Sequence, residues 1–183
     1  MRYIMVLPAI VLLAFTGPSF AALDIGESAP DFHTTAAVDG QVFQYSLSDA
    51  LRKGPVVLYF FPSAFSDGCS IEAHLFAEAV PQYQALGASV IGISRDDIAT
   101  QKKFSVSECR GKFAVATDTQ LKIAQSYDSV MTNRPDYANR ISYVIAPDGK
   151  ILYRYSSLNP DRHVENTLSA LREWQQKTDK KPD

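Results

Sequence analysis

The stretch from Pro55 to Glu72, Pro-Val-Val-Leu-Tyr-Phe-Phe-Pro-Ser-Ala-Phe-Ser-Asp-Gly-Cys-Ser-Ile-Glu, constrains this chain more than any other. Val56 to Phe61 is an unbroken apolar run that stops at Pro62. A run of that length without alternation reads as a strand buried on both faces, so the chain must supply cover on both sides of it. A short polar loop then delivers Cys69 just where a helical pattern begins. A thiol at a helix N-terminus meets unpaired backbone N–H groups and the positive end of the helix dipole, and both favour the sulfur anion. The alternative is an inert core cysteine, since free cysteines often serve as small buried apolar residues.

Around this stretch the elements follow in order. Gly26 to Phe32 is an extended lead-in, with Ala29 pushed out of helical geometry by Pro30. Asp39-Gly40 is a hairpin signal, and Gln41 to Leu47 alternates Val42, Phe43 and Tyr45 with polar residues. Ser48-Asp49 can cap a short helix to Lys53, and Gly54-Pro55 opens the central strand. From Cys69 a helix is expected to run to Gly87, with Ile71, Leu75, Phe76, Ala79, Val80, Tyr83 and Leu86 inward and a kink at Pro81. Ala88 to Ser94 reads as a second buried strand, and Asp96-Asp97 starts a helix carrying Phe104, Val106 and Cys109 to its end at Gly111. A strand over 113–116, a short helix over 118–127 and a loop over 128–139 come next. Arg140 to Ala146 and Ile151 to Ser156 form a hairpin across Pro147-Asp148-Gly149-Lys150. Asn159-Pro160 caps the last helix, with Val164, Leu168, Leu171 and Trp174 at core spacing and a charged tail from Lys177 to Asp183. This order implies an α/β fold whose central mixed sheet has helices on both faces, parallel early and antiparallel late, and it resembles the thioredoxin arrangement.

Composition bounds the rest. With 183 residues, 46% hydrophobic and 21% charged, the chain can build one domain with its own core. A formal charge of −2 without a basic stripe excludes a nucleic-acid partner. Residues 1–21 read as a signal peptide: Arg2 is the positive start, Tyr3 to Phe15 is apolar, and Ser19-Phe20-Ala21 ends in small residues at the cleavage positions. An uncleaved anchor is the alternative, but the run is shorter than the roughly 20 residues that span a bilayer and contains Pro8. The expectation is therefore an exported, periplasmic domain over 22–183, with no membrane contact after cleavage. In an oxidising compartment Cys69 and Cys109 allow one bridge. The three histidines, His33, His74 and His163, have no metal-ligand spacing, so neither a metal nor another cofactor is expected.

Pro62-x-x-x-Ser66-x-x-Cys69 resembles the peroxiredoxin signature Pro-x-x-x-Thr/Ser-x-x-Cys. Gly26-x-x-Ala29-Pro30-x-Phe32 upstream, and Arg140 followed by Ala146-Pro147-Asp148-Gly149 downstream, extend the likeness over about residues 25 to 176. Gly68-Cys69-x-x-Glu72 is similar to the active-site helix start of the Q-type, bacterioferritin-comigratory branch. His74 stands where many of that branch carry a second cysteine. The resemblance implies a peroxidase in which Cys69 attacks a hydroperoxide and becomes a sulfenic acid. It gives Ser66 the task of directing the peroxide and Arg140 that of holding thiolate and peroxide oxygen, with Pro62 shielding the thiol. Taken alone, Ser66 can be a helix cap, Arg140 a surface arginine, and Glu72 a residue that only favours the helix dipole.

Some Q-type relatives place a resolving cysteine in the helix that carries Cys109 here. The resemblance therefore implies a Cys69–Cys109 disulfide formed after the first turn at Cys69 unwinds, with a thioredoxin-like or other thiol as reductant. Alternatives are resolution by an external thiol and Cys109 as a core residue. Two other functions compete. A thiol–disulfide oxidoreductase would normally need Cys-x-x-Cys, and Ser66 stands where its first cysteine belongs. A silent binding domain would hold Cys69–Cys109 as a permanent disulfide.

Overall fold

The computed structural model describes residues 23–180. The signal-peptide reading and the last three residues of the tail lie outside them. A seven-stranded sheet in the order β2-β1-β5-β4-β3-β6-β7 forms the middle layer. The strands are β1 (His33–Val38), β2 (Gln41–Ser46), β3 (Val56–Phe60), β4 (Ser89–Ser94), β5 (Ala114–Thr117), β6 (Ile141–Ile145) and β7 (Ile151–Ser156). The helices are α1 (Leu47–Leu51), α2 (Asp67–Ala85), α3 (Ile98–Ser107), α4 (Lys122–Ser126) and α5 (His163–Asp179), the last entered through a 3-10 turn over Pro160–Arg162. β3, β4 and β5 are parallel neighbours, and every other pairing is antiparallel. This is the expected mixed α/β sheet, covered on both faces.

The run Val56 to Phe61 needs no alternation because each of its sides has a core. Val57, Tyr59 and Phe61 pack with Phe76 and Tyr83 of α2, Phe104 of α3, and Leu168 and Leu171 of α5. Val56, Leu58 and Phe60 pack on the opposite face with Leu47 and Leu51 of α1, Ala124 of α4, and Phe32 and Tyr127. Tyr59 and Phe76 stack with ring centroids 4.4 Å apart, locking α2 onto the strand that precedes it. Phe61 donates its amide to the Ile93 carbonyl (3.0 Å), and Pro62, which has no N–H, ends the ladder there. The chain must leave the sheet at that point.

Several boundaries differ from the sequence reading. α1 is capped by Ser46, whose hydroxyl accepts from the Asp49 amide, rather than by Ser48 or Asp49. α2 starts at Asp67, so Cys69 is its third residue instead of its first. Pro81 stands inside α2, which continues to Ala85, and Gly87 follows with a positive φ of 67°. α3 ends at Ser107, and Cys109 lies two residues beyond it in the turn. Arg140 immediately precedes β6 rather than belonging to it. The largest correction concerns the buried face of α2: Ile71 is 49% exposed, whereas the ionisable Glu72 is fully buried. Cys69, Glu72, Ala73, Phe76, Val80 and Tyr83 make the inner stripe. Its phase is set by what meets Glu72, which hydropathy cannot show.

Candidate active site

Between β3 and α2 the chain makes a pinned loop. Ala64 donates its amide to Asp96 Oδ2 (2.7 Å), and the Ser94 hydroxyl donates to the same oxygen (2.6 Å), so the end of β4 fixes the loop from beneath. Phe65 takes φ of 62°, a left-handed conformation costing a bulky residue about 1–3 kcal/mol, and its ring meets Phe104 edge-on at 5.3 Å. That contact and the Asp96 anchor hold the strained turn. Ser66 is the N-cap residue by backbone geometry, and its carbonyl accepts from the Cys69 and Ser70 amides, both at 2.9 Å. Its hydroxyl is not used as a cap: it donates to the Ser63 carbonyl (3.0 Å) and lies exposed, where it can turn to an incoming ligand. Pro62 is half-buried at the mouth of the same loop.

Cys69 is 1% exposed in the first turn of α2, and Arg140 comes to it from the residue just before β6, the strand paired with β3. All three faces of the guanidinium are engaged. Nη2 donates to Cys69 Sγ (3.3 Å), Nη1 donates to Glu72 Oε2, and Nε donates to the Leu158 carbonyl (3.0 Å). Gly68 makes the approach possible, because a β-carbon there would lie 3.2 Å from Arg140 Nη2. Arg140 is itself buried, so its charge acts on the sulfur with little screening by solvent. The site therefore holds one fixed cation against one thiol, with the helix start behind them.

Glu72 and His163 were the residues the sequence reading undervalued. Burial pushes the Glu72 carboxyl up to about 8, while the Arg140 guanidinium pulls in the other direction. Its second oxygen, Oε1, has no hydrogen-bond donor and faces His163 Nδ1 at 3.6 Å. Burial pushes His163 down to about 4, so the imidazole is neutral at neutral pH. The Ser157 carbonyl, 2.9 Å from Nε2, can only accept, which assigns the ring proton to Nε2 and leaves Nδ1 to accept from the Ser142 hydroxyl at 2.8 Å. A signal for both residues did exist. Glu72 follows Cys69 by one helical turn, and His163 precedes Thr167, Leu168 and Leu171 at core spacing.

Cys109 is a free thiol, fully buried, in the same core as Cys69, which is also free. Burial pushes the Cys109 thiol up, and the Glu108 carboxylate adds to the shift, so Cys109 stays protonated in this conformation. Two polar contacts straddle it, His74 Nε2 with Glu108 Oε2 at 3.0 Å and the Glu78–Arg110 ion pair at 3.1 Å, both joining α2 to the turn that carries Cys109. Of the residues singled out from sequence, the structure brings Ser66, Cys69 and Arg140 to one locus beside Pro62, while Cys109 shares the core of Cys69 from the turn after α3. His33 lies on β1, in another part of the sheet.

Comparison with known proteins agrees with this geometry. The AhpC/TSA family model matches residues 25–154. The chain is 30% identical to a chloroplastic peroxiredoxin Q of Triticum aestivum over 86% of its own length and 71% of the relative's. It is equally similar to the Oryza sativa (subsp. japonica) peroxiredoxin Q, but there it spans 65% of the relative. Among solved structures, the peroxidoxin BcpB of Mycobacterium tuberculosis is 30% identical with a TM-score of 0.73, covering 81% of this chain and 96% of that one. A Xylella fastidiosa PrxQ mutant, at 22% identity and a TM-score of 0.75, shares the fold. The chain belongs to the AhpC/TSA family and, within it, to the peroxiredoxins of the Q type.

Proposed function

We propose that this chain is a thiol-dependent peroxidase that reduces hydrogen peroxide or organic hydroperoxides with Cys69 as nucleophile. The observation that carries the reading is the Arg140 guanidinium, held by Glu72 and the Leu158 carbonyl and aimed at Cys69 Sγ from 3.3 Å. The thiolate attacks one peroxide oxygen, the O–O bond breaks, and the leaving oxygen departs with the electron pair as alcohol or water once protonated. Sulfur gains the S–O bond of a sulfenic acid. Charge develops on the departing oxygen, where the Arg140 donors, the Ser66 hydroxyl and the amides that open α2 stabilise it. Pro62 closes the apolar flank without adding a donor.

Cys109 then resolves the sulfenic acid: its thiol displaces water and a Cys69–Cys109 disulfide forms, which a thioredoxin-like or other dithiol reduces. Two buried thiols in one core cannot exchange without local opening, since the nucleophile must lose its proton and the Cα atoms must come within about 4.4–6.8 Å. The ends to be opened are weakly held. The His74–Glu108 and Glu78–Arg110 pairs are partly exposed, and such pairs are worth about 0–1 kcal/mol each. Peroxide added to reduced protein is expected to give a linked Cys69–Cys109 peptide on non-reducing mapping. A Cys69 that stays dimedone-reactive, with Cys109→Ser turning over normally on the same reductant, would show a one-cysteine enzyme instead. An unreactive Cys69 would end the peroxidase reading.

Export is part of the same reading, supported by Arg2, the apolar stretch Tyr3 to Phe15 and the Ser19-x-Ala21 ending. The mature domain then begins near Ala22 and works in the periplasm, where a folded-state disulfide can persist between catalytic cycles. Mass spectrometry of exported protein is expected to find Ala22 at the N-terminus; intact residues 1–21 would refute it.

A further inference from the structure

Arg140 meets the 157–158 segment through both its backbone and its side chain. Its carbonyl accepts from the Ser157 amide (3.2 Å), and its Nε donates to the carbonyl of the next residue, Leu158, whose side chain is 63% exposed. The 157–158 turn is thus held by polar contacts. One comes from beneath, where the fully buried His163 donates Nε2–H to the Ser157 carbonyl (2.9 Å). The same ring accepts from Ser142 on β6, two residues after Arg140, and lies edge-on to Tyr155 of β7 at 4.8 Å. It therefore ties together the start of α5, the strand that follows Arg140 and the turn that grips the guanidinium. Because Nδ1 is taken up by Ser142, the ring has no proton to offer Glu72, and that carboxyl is left to Arg140 alone.

We propose that His163 is a positioning residue for the reaction at Cys69, its Nε2–H bond to Ser157 fixing the turn whose Leu158 carbonyl holds Arg140 against the sulfur. The inference rests on the peroxidase reading. A guanidinium displaced by an ångström no longer meets both the sulfur and the departing oxygen, and misplacement on that scale can cost up to about 10²-fold in rate. His163 touches no reacting atom, so its whole effect runs through Arg140.

Two comparisons separate this from a packing role. The Gln side-chain amide reaches the Nε2 position and Asn only the Nδ1 position. His163→Gln is thus expected to react with hydrogen peroxide within about threefold of wild type, and His163→Asn and His163→Leu at least about tenfold more slowly, with far-ultraviolet circular dichroism unchanged. In an Arg140→Met background the same substitutions are expected to change the rate no further, because the residue they act through is gone. A packing residue would give equal rates for Gln and Asn, or the same fractional loss with and without Arg140, and either result overturns the proposal. Should His163→Leu not fold, the Gln and Asn pair decides alone. A wild-type chain inert to peroxide would overturn both this inference and the peroxidase reading. A reactive wild type with equal Asn and Gln rates would overturn this inference only.

Discussion

Arg140→Met is expected to slow the oxidation of Cys69 by hydrogen peroxide about 10²- to 10³-fold, and Cys69→Ser to abolish it. The size follows from the three acceptors that one guanidinium serves: Cys69 Sγ, Glu72 Oε2 and the Leu158 carbonyl. Met fills the volume but removes the donor toward the sulfur and toward the peroxide oxygen, in a site where Cys69 is 1% exposed and solvent cannot replace it. It also leaves Glu72 buried without its cation. Breaking a buried pair costs about 3–5 kcal/mol, moderated here because Glu72, already pushed up to about 8, can take a proton. Arg140→Lys is expected to fall between, since an ammonium on a flexible stem keeps the charge but cannot fork to three acceptors. Stopped-flow oxidation of reduced protein, with circular dichroism as the fold control, measures all three. A folded Arg140→Met within threefold of wild type would remove Arg140 from the mechanism.

That arginine also shows what the sequence could and could not reveal. The apolar run Val56 to Phe61, the Pro62 break and the helix start near Cys69 are local features, each dictated by a few neighbouring residues, and they appear where the pattern puts them. The Asp39-Gly40 hairpin is equally local: both residues take the positive φ, 48° and 72°, that a two-residue turn requires. The partnership of Arg140 with Glu72 spans 68 residues and depends on β6 pairing with β3, so neither sequence neighbourhood contains it. Only the motif likeness suggested Arg140, and nothing suggested that its partner would turn α2 until a glutamate faced inward and Ile71 faced water. Hydropathy ranks side chains one at a time; burial of a charge is decided by pairs.

His163 illustrates the same limit from the other direction. A histidine that precedes core residues at helical spacing is most simply a packed residue, and the sequence gives no reason to connect it with Cys69, ninety-four positions earlier. Its two ring bonds go to Ser142 and Ser157, serines that carry no signal of their own. Pro62, Ser66 and Cys69 were legible as a motif because they sit within one loop and one helix turn. The site's second layer is assembled from β6, the 157–158 turn and α5, which only the completed sheet brings together.

The second layer has a thermodynamic consequence in acid. His163 is held neutral by burial and titrates at about 4 when folded, against an ordinary value of 6.5. The unfolded chain therefore binds the proton more readily than the native one between those values. The stabilisation is full above pH 6.5 and is lost as pH falls through about 4, amounting to ~3 kcal/mol between pH 7 and pH 4. Glu72 works with the opposite sign: its folded value of about 8 lies above the ordinary 4.5, so its contribution is present at low pH and is lost as pH rises toward 8. Native stability should thus be eroded at both ends of the range by two residues in van der Waals contact. Urea unfolding of wild type and His163→Gln at pH 7 and pH 4 isolates the acid limb, because Gln cannot titrate while retaining a donor toward Ser157. The wild type is expected to lose ~3 kcal/mol more than the variant between these pH values. Equal losses would mean that His163 takes up its proton in the native state as easily as in water, so that Nδ1 is not the bare acceptor toward Ser142 that the neutral ring provides.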